Sequence, residues 1–493
     1  MTDTLRVLLC TSEAVPFAKT GGLADVSGAL PRALAGQGCD VGLMMPAYRS
    51  VPRDDLEAVA AVRVPVGPQT HEGRILRGVM PGTTIPVYFV EHPAFFDRPG
   101  LYGEGGRDYP DNLERFAFFC RAAVEYIRQA PRRPEIIHCN DWQTALIPVY
   151  LTTTHRDLGP IGTLFTIHNL AYQGLFPAEQ FGMLGLPPDL YGIDALEYWG
   201  QVSLLKGGLR FADLLTTVSE RYAEEIQTEE FGCGLEGVLR HRRDRLIGIL
   251  NGVDYGAWDP AHDPHIPARY SAEDVSAKAR CKEHLQREQR LARDPRAPLI
   301  GMVTRLADQK GLDLVAAVIE DVMARGAQFV LLGTGDPKYH QLFTRLRGRY
   351  RRQMAVTLSF DDSLAHRIEA GADMFLMPSR YEPSGLNQLY SLRYGTVPIV
   401  RRTGGLADSI TDCTSETLAA GTATGFVFTP YTPDALRQAL ERALSAFADP
   451  AMWRRLQQAG MRADFSWARS AARYVEAYRG AREMLSVSLG TPR

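Results

Sequence analysis

Long hydrophobic runs, paired cysteines and surplus charge are all scarce in this sequence, and each scarcity removes a class of function. No apolar run approaches the roughly twenty residues that a membrane helix needs, so no membrane partner is expected. The segment Met1 to Cys10 has no basic stretch and only the short run Val7-Leu8-Leu9-Cys10, which reads as a first strand rather than a secretion signal. Seven cysteines, at 10, 39, 120, 139, 233, 281 and 413, are odd in number and never spaced C-x-x-C. Neither a disulfide framework nor a zinc site is implied, and a reducing, cytoplasmic location is expected. Lys and Arg number 55 against 57 Asp and Glu, a net charge of −2 with no global attraction for nucleic acid. The basic run Arg345, Arg347, Arg349, Arg351, Arg352 reads as a solvated helix face. There is no D-x-D triplet and no His/Asp/Glu group with ligand spacing along the chain, so neither a metal nor another cofactor is expected.

What is present is ordinary globular composition, 45% hydrophobic and 23% charged, over 493 residues, more than one core usually organises. Strand-length apolar runs alternate with helical patterns, the mark of parallel sheets wrapped by helices, and predict an α/β protein of two lobes. The first half offers strands near Leu5–Cys10, Val41–Met45, Glu135–His138, Leu164–Ile167 and Leu214–Val218. Residues 62–92 break the rhythm with period-two stretches and predict an inserted β-hairpin of unreadable function. The polar, Pro-dotted stretch Asp259 to Pro267 predicts a lobe boundary, after which strands are expected at Leu299–Thr304, Phe329–Leu332, Ala355–Leu358, Met374–Met377, Val397–Val400 and Phe426–Phe428.

In open α/β sheets ligands bind beyond the carboxyl ends of the strands, and the unusual residues fall in those loops. After the first strand comes Lys19-Thr20-Gly21-Gly22-Leu23-Ala24-Asp25-Val26, whose glycines open a helix and leave N–H groups for a phosphate. The same Thr-Gly-Gly-Leu-Ala-Asp recurs at 403–408 behind Arg401-Arg402. Arg305 and Lys310-Gly311 follow the strand 299–304, and Gly333-Thr334-Gly335-Asp336 forms another such loop. A nucleoside diphosphate carries roughly two to three negative charges, and two cations with two helix ends at about half a charge each sum to about +3. Glu382-Pro383-Ser384-Gly385-Leu386-Asn387 joins a carboxylate suited to sugar hydroxyls to a helix start suited to phosphate. His168-Asn169 and His138-Cys139-Asn140-Asp141-Trp142 end two first-lobe strands, and His168 is the stronger catalytic candidate of the two histidines.

K-T-G-G-L-A-D-V, H-N-L-A-Y-Q-G, N-G-V-D, R-L-x-x-Q-K-G, E-P-S-G-L-N-Q and R-R-T-G-G-L-A-D, in this order, resemble the bacterial glycogen synthases and plant starch synthases. The resemblance runs from about Leu5 to Trp467. It implies a GT-B fold: two Rossmann-like, doubly wound parallel-sheet lobes facing an interlobe cleft. Residues 1–252 would form the catalytic and acceptor lobe and residues 253–465 the nucleotide-sugar lobe, with a C-terminal helix, 466–493, crossing back to the first. The implied partners are ADP-glucose and an α-1,4-glucan (glycogen). Arg305 and Lys310 would hold the diphosphate, Glu382 would orient the glucose, and Gly385, Leu386, Thr403 and Gly404, with Ser384 and Gly405, would line the donor site. Lys19, Gly21 and Gly22 would meet the phosphates, and Asp141, His168 and Asn169 the glucose and acceptor side. Tyr102 and Asp108 resemble the segment that receives the glucan. Three positions depart from the family's pattern: Ser384 stands where Cys is frequent, Tyr390 where related enzymes carry an acid, and Phe360 where an adenine-stacking Tyr is common.

The resemblance further implies retention at the anomeric carbon, and no enzyme nucleophile is apparent, which favours front-face internal return with His168 beside the reacting carbon. Three rivals follow: a UDP-glucose-using glucan synthase, since no base-reading contact is legible; a nucleotide-sugar epimerase on the same fold; and a glucan-binding protein without turnover.

Overall fold

The computed structural model describes residues 4–490, which divide into two compact units. One comprises the chain to Gly252 together with the segment from Trp467, and the other is Val253–Ser466.

The first unit is built on a nine-stranded sheet. Its strands are β1 (Arg6–Cys10), β2 (Asp40–Pro46), β3 (Glu57–Val66), β4 (Gln69–Val79), β5 (Pro86–Glu91), β6 (Ile136–Asn140), β7 (Gly162–Ile167), β8 (Leu214–Thr217) and β9 (Leu246–Gly248). The spatial order is β9-β8-β7-β6-β1-β2-β5-β4-β3, parallel from β9 to β5. The apolar run of β1 and the complete burial of β6 and β7 follow from cover on both faces, which a parallel sheet wrapped by helices imposes. Order reverses between β1 and β6, so the loops after these two strands flank the crevice where such sheets bind ligands.

The stretch expected as an inserted hairpin does hold one, β3 paired antiparallel with β4, and it extends this sheet rather than standing apart from it. β5 lies parallel to β2, and β4 and β3 extend the edge antiparallel. The period-two pattern reflects a half-buried edge: Val62, Val64 and Val66 of β3 are buried, their alternate neighbours exposed, and helix Asn112–Gln129 packs on this strand.

The second unit carries a six-stranded parallel sheet: β10 (Leu299–Val303), β11 (Gln328–Leu332), β12 (Met354–Thr357), β13 (Met374–Met377), β14 (Val397–Arg401) and β15 (Phe426–Phe428). The order β12-β11-β10-β13-β14-β15 is the 3-2-1-4-5-6 arrangement of a doubly wound dinucleotide-binding sheet, with its switch point between β10 and β13. Helices Leu312–Ala324 and Pro433–Phe447 pack together beside this sheet, and the core holds Val315, Ile319, Phe329 and Leu440.

The C-terminal helix Trp467–Gly490 belongs to the first unit, where it packs on helix Gly22–Gly36 and on β7. A buried polar chain fixes it. His138 Nδ1 meets Tyr478 Oη at 2.8 Å, its Nε2 meets Thr166 Oγ1 at 2.6 Å, and Thr166 Oγ1 lies 2.5 Å from Thr216 Oγ1. With both nitrogens engaged inside the core, His138 is a structural residue tying β6, β7, β8 and the terminal helix together.

Burial pushes the His138 imidazole down from 6.5 to about 3, so the native state holds it neutral. The unfolded chain takes up a proton below about pH 6.5 that the native state refuses. This contribution to stability is therefore complete above that pH and is lost as pH falls toward 3. Between pH 7.5 and 5.5 the loss is about 1.4 kcal/mol. Hydrogen exchange of β6 and β7 amides, corrected for intrinsic rates, is expected to show wild type losing about 1.4 kcal/mol more than His138→Gln over that interval. Equal losses in the two proteins would refute the assignment.

Candidate active site

The switch point of the second sheet brings together the loops after β10 and β13. A short turn, Asp308–Lys310, follows β10, and Gly311 starts helix Leu312–Ala324 with φ of 69°. A Cβ on Gly311 would stand 2.1 Å from Pro378 O, so only glycine lets the two loops close on one another here. Main-chain and side-chain bonds then lock them: Arg380 N–H donates to Gln309 O (2.8 Å), and Gln309 Nε2 donates to Tyr381 O (3.1 Å).

In this frame Lys310 Nζ donates to both carboxylate oxygens of Glu382, at 2.9 and 2.7 Å, and Ser379 Oγ donates to Glu382 Oε2 at 2.8 Å. Glu382 is buried and Lys310 mostly so. The ammonium has three N–H donors, and the carboxylate engages two of them. Arg305, exposed on the same loop, reaches Gln309 Oε1 at 3.4 Å. Asn387, at the start of helix Asn387–Arg393, donates from Nδ2 to Val303 O (2.6 Å) and pins that helix to the end of β10.

The repeated Thr-Gly-Gly turns do not present the open N–H groups that their sequence suggests. Gly405 N–H donates to Glu382 O and Pro383 O, both at 3.1 Å. A Cβ on Gly404 would lie 2.0 Å from Glu382 O, and one on Gly405 1.9 Å from Ser384 O. These glycines permit the 382–385 and 403–405 loops to touch, and helix Gly404–Ser409 spans only six residues. In the first unit the buried carboxylate of Glu13 occupies the turn, accepting from Thr20 N (2.5 Å), Gly21 N (3.2 Å) and Thr20 Oγ1 (2.5 Å). Gly22 begins the helix behind it. With Glu382 on Lys310 and Glu13 on this helix start, two of the four contributions to the reckoning of about +3 already face a carboxylate.

Elsewhere in the second unit, Ser384 Oγ is buried without a hydrogen-bond partner among the described residues. Gly385 has φ of 65°. The side chain of Leu386 packs against the Val253, Leu389, Tyr390 cluster, and Thr403 is buried as the cap of its short helix. Tyr390, where related enzymes carry an acid, stacks on Trp258 at 3.9 Å and serves packing. Phe360, in the loop after β12, is 77% exposed.

The first unit gathers Asp141, His168 and Asn169 at the ends of β6 and β7. Asp141 sits at φ 57°, a conformation a non-glycine residue adopts only under constraint, and its Oδ1 accepts from His168 N at 2.8 Å. Burial raises its carboxyl to about 7 against the lowering effect of that bond. His168 Nε2 meets Asn140 Oδ1 at 2.8 Å, so a neutral ring donates from Nε2, and burial pushes its imidazole down to about 3. Asn169 Oδ1 accepts from Ala171 N at 3.1 Å. Lys19 pairs with Asp25 at 2.7 Å in a largely exposed contact.

Tyr102 does not stand open as a sugar platform through its hydroxyl: it donates to Glu13 Oε1 at 2.6 Å and lies 2.7 Å from Ser12 Oγ. Asn112 Nδ2 holds Tyr102 O at 2.9 Å, and the fully buried Arg115 bonds Asn112 Oδ1, Leu101 O and Phe95 O. Asp108 lies apart, exposed on the small hairpin Gly103–Glu104/Arg107–Asp108. Glu13 and Arg115 organise this region through contacts distant in sequence, and no local pattern announced either one.

No helix among the described residues is long and apolar enough to cross a membrane. All seven cysteines are free, and only Cys233 is exposed. Against the expectation of no ligand spacing along the chain, Asp362 and His366 stand at i, i+4 on one helix, and ligand atoms of His265, Asp362 and His366 come within 4.8 Å of one another.

Residues 6–241 match the family described as the starch synthase catalytic domain, and residues 285–459 that of glycosyl transferases group 1. A glycogen synthase of Anaeromyxobacter dehalogenans (strain 2CP-C) is 52% identical over 96% of this chain and 99% of its own length. Another, from Syntrophotalea carbinolica, is 49% identical over 97% and 99%. The catalytic domain of Starch Synthase IV from Arabidopsis thaliana, bound to ADP and acarbose, superposes with a TM-score of 0.90 at 36% identity, covering 98% of this chain and 100% of that one. Two parallel-sheet units, a 3-2-1-4-5-6 second sheet and near full-length identity of about half place the chain in the glycogen synthase family of glycosyltransferases, with the GT-B fold.

Proposed function

We propose that the chain extends an α-1,4-glucan at its non-reducing end with glucose from ADP-glucose, retaining the anomeric configuration and using no metal in the transfer step. The observation that carries this reading is the Lys310–Glu382–Ser379 cluster at the switch point of the second sheet. ADP rather than UDP is favoured because the similar starch synthase was bound to ADP.

In this reading the third N–H of Lys310 donates to a donor phosphate, and Arg305 on the same loop takes a second phosphate oxygen. Glu382 keeps the ammonium in place and turns its remaining acceptor capacity toward glucose hydroxyls. Ser384, Gly385, Thr403, Gly404 and Gly405 shape the donor pocket beside it, and Leu386 contributes main chain because its side chain is committed to packing. Phe360 offers its exposed ring to adenine. In the first unit, Asp141, His168 and Asn169 are assigned to the glucose and acceptor, Lys19, Gly21 and Gly22 to the phosphate side, and Asp108 and the ring of Tyr102, not its hydroxyl, to the glucan.

The glucosyl C1–O bond to phosphate breaks while the acceptor 4-hydroxyl oxygen bonds C1 from the same face. The hydroxyl proton passes to the departing phosphate oxygen. Lys310 and Arg305 act by stabilising the negative charge that grows on that oxygen as the bond lengthens. A neutral His168 suits this scheme, because an imidazolium beside an oxocarbenium-like carbon would oppose it.

Incorporation of labelled glucose into glycogen is expected from ADP-glucose in excess EDTA, with UDP-glucose much poorer, and to fall by about 100- to 1000-fold in Lys310→Ala. Activity abolished by EDTA and restored by Mg²⁺ or Mn²⁺ but not by Zn²⁺ would overturn the metal-free step, and preference for UDP-glucose would overturn the donor. ADP binding without polymer formation would favour an epimerase or a binding protein. Tyr102→Phe removes one bond to a buried carboxylate and is expected to cost about 1.5–3 kcal/mol of stability while changing the KM for glucan less than threefold. A tenfold rise in that KM at unchanged stability would assign the hydroxyl to the acceptor instead.

A further inference from the structure

The grouping of His265, Asp362 and His366 contains none of the residues assigned to the proposed transfer. Asp362 and His366 are four residues apart on helix Asp362–Gly371, hence on one face. His265 comes from the segment that opens the second unit. One ligand atom from each of the three lies within 4.8 Å of the others, and His366 Nε2 is 3.9 Å from Asp362 Oδ2. The two imidazole rings are 4.7 Å apart.

The surroundings prepare His366 for coordination. Its Nδ1 faces Asp263 Oδ2 at 2.8 Å, and Asp263 is a buried carboxylate that also accepts from Tyr394 Oη (2.5 Å) and, through Oδ1, from His265 N (2.7 Å). A carboxylate accepting the Nδ1 proton leaves the lone pair on Nε2, the nitrogen that lies near Asp362, in the carboxylate–histidine arrangement that supports zinc ligands. On its other side the ring is fixed by Trp258, stacked at 3.8 Å and 9°. His366 is therefore buried and oriented, while Asp362 and His265 are exposed and can close by side-chain rotation to the roughly 2.0–2.2 Å bonds that zinc requires.

We infer that His265, Asp362 and His366 form a binding site for a first-row divalent cation, zinc foremost, with Asp263 holding His366 in the ligating tautomer. Two imidazoles and one carboxylate leave at least one position for water, and this donor set prefers Zn²⁺ over Mg²⁺ or Ca²⁺. The ion ties the 259–267 segment to helix Asp362–Gly371, directly after the loop of Phe360. Through the stack of His366, Trp258 and Tyr390 it also stiffens helix Asn387–Arg393. Its role is structural, so the site stands or falls independently of the donor assignment.

The test uses the tag-free full chain, freed of metal by dialysis, with Zn²⁺ measured by equilibrium dialysis and Co²⁺ by visible absorption. Wild type is expected to bind one Zn²⁺ per chain, to raise its melting temperature on binding, and to give a Co²⁺ spectrum without a thiolate charge-transfer band. His265→Ala and Asp362→Asn, both at exposed side chains, are each expected to weaken binding at least tenfold. Absence of Zn²⁺ binding by wild type would overturn the proposal. So would affinity unchanged in both variants, or binding abolished by Cys233→Ser, which removes the exposed thiol.

Discussion

The ion pair between Lys310 and Glu382 is the contact on which the candidate site depends. It joins the loop after β10 to the loop after β13, the two strands flanking the point where the second sheet reverses its order. A mostly buried pair gains little net stability, because desolvation offsets most of its attraction; its value lies in fixing geometry. Here that geometry rests on close approaches that a Cβ would forbid, Gly311 against Pro378 and Gly404 against Glu382. Ser379 adds a bond to the carboxylate, and Gly405 bonds the main chain of the same residue. Three segments thus converge on Glu382, the loops after β10, β13 and β14, and in the proposed reading the lysine it holds offers a third N–H to a donor phosphate.

The first unit follows another logic. Its histidines at the strand ends are held neutral by burial, one within the core and one beside Asp141. A carboxylate, Glu13, gathers the start of the Gly22 helix and the hydroxyl of Tyr102 into one network. This network positions residues that sequence reading assigns to different ligands, the phosphates and the glucan, and makes them one mechanical unit.

Much of this was legible in the sequence, for physical reasons. Several buried parallel strands are near-continuous apolar runs, so β1, β10, β13 and β15 stand out, and the loops after them hold the glycine and charged residues that a switch point collects. The edge strands β3 to β5 read as an insertion because their alternation signals a half-exposed surface and says nothing of which sheet they join. The repeated Thr-Gly-Gly-Leu-Ala-Asp shows the limit most clearly. Identical local sequence meets a carboxylate at Gly21 and main-chain carbonyls at Gly405, because the third party in each contact comes from elsewhere in the chain. Glu13, Arg115 and the His265–Asp362–His366 group likewise acquire their partners only in the folded chain.

A double-mutant cycle on ADP affinity, read by calorimetry for Lys310→Met, Glu382→Gln and the combined variant, tests the central claim most directly. If Glu382 acts by holding Lys310, the combined variant will bind ADP no more weakly than Lys310→Met alone, a strong coupling between the two positions. Losses that simply multiply would show the two residues serving ADP independently, and would contradict the account.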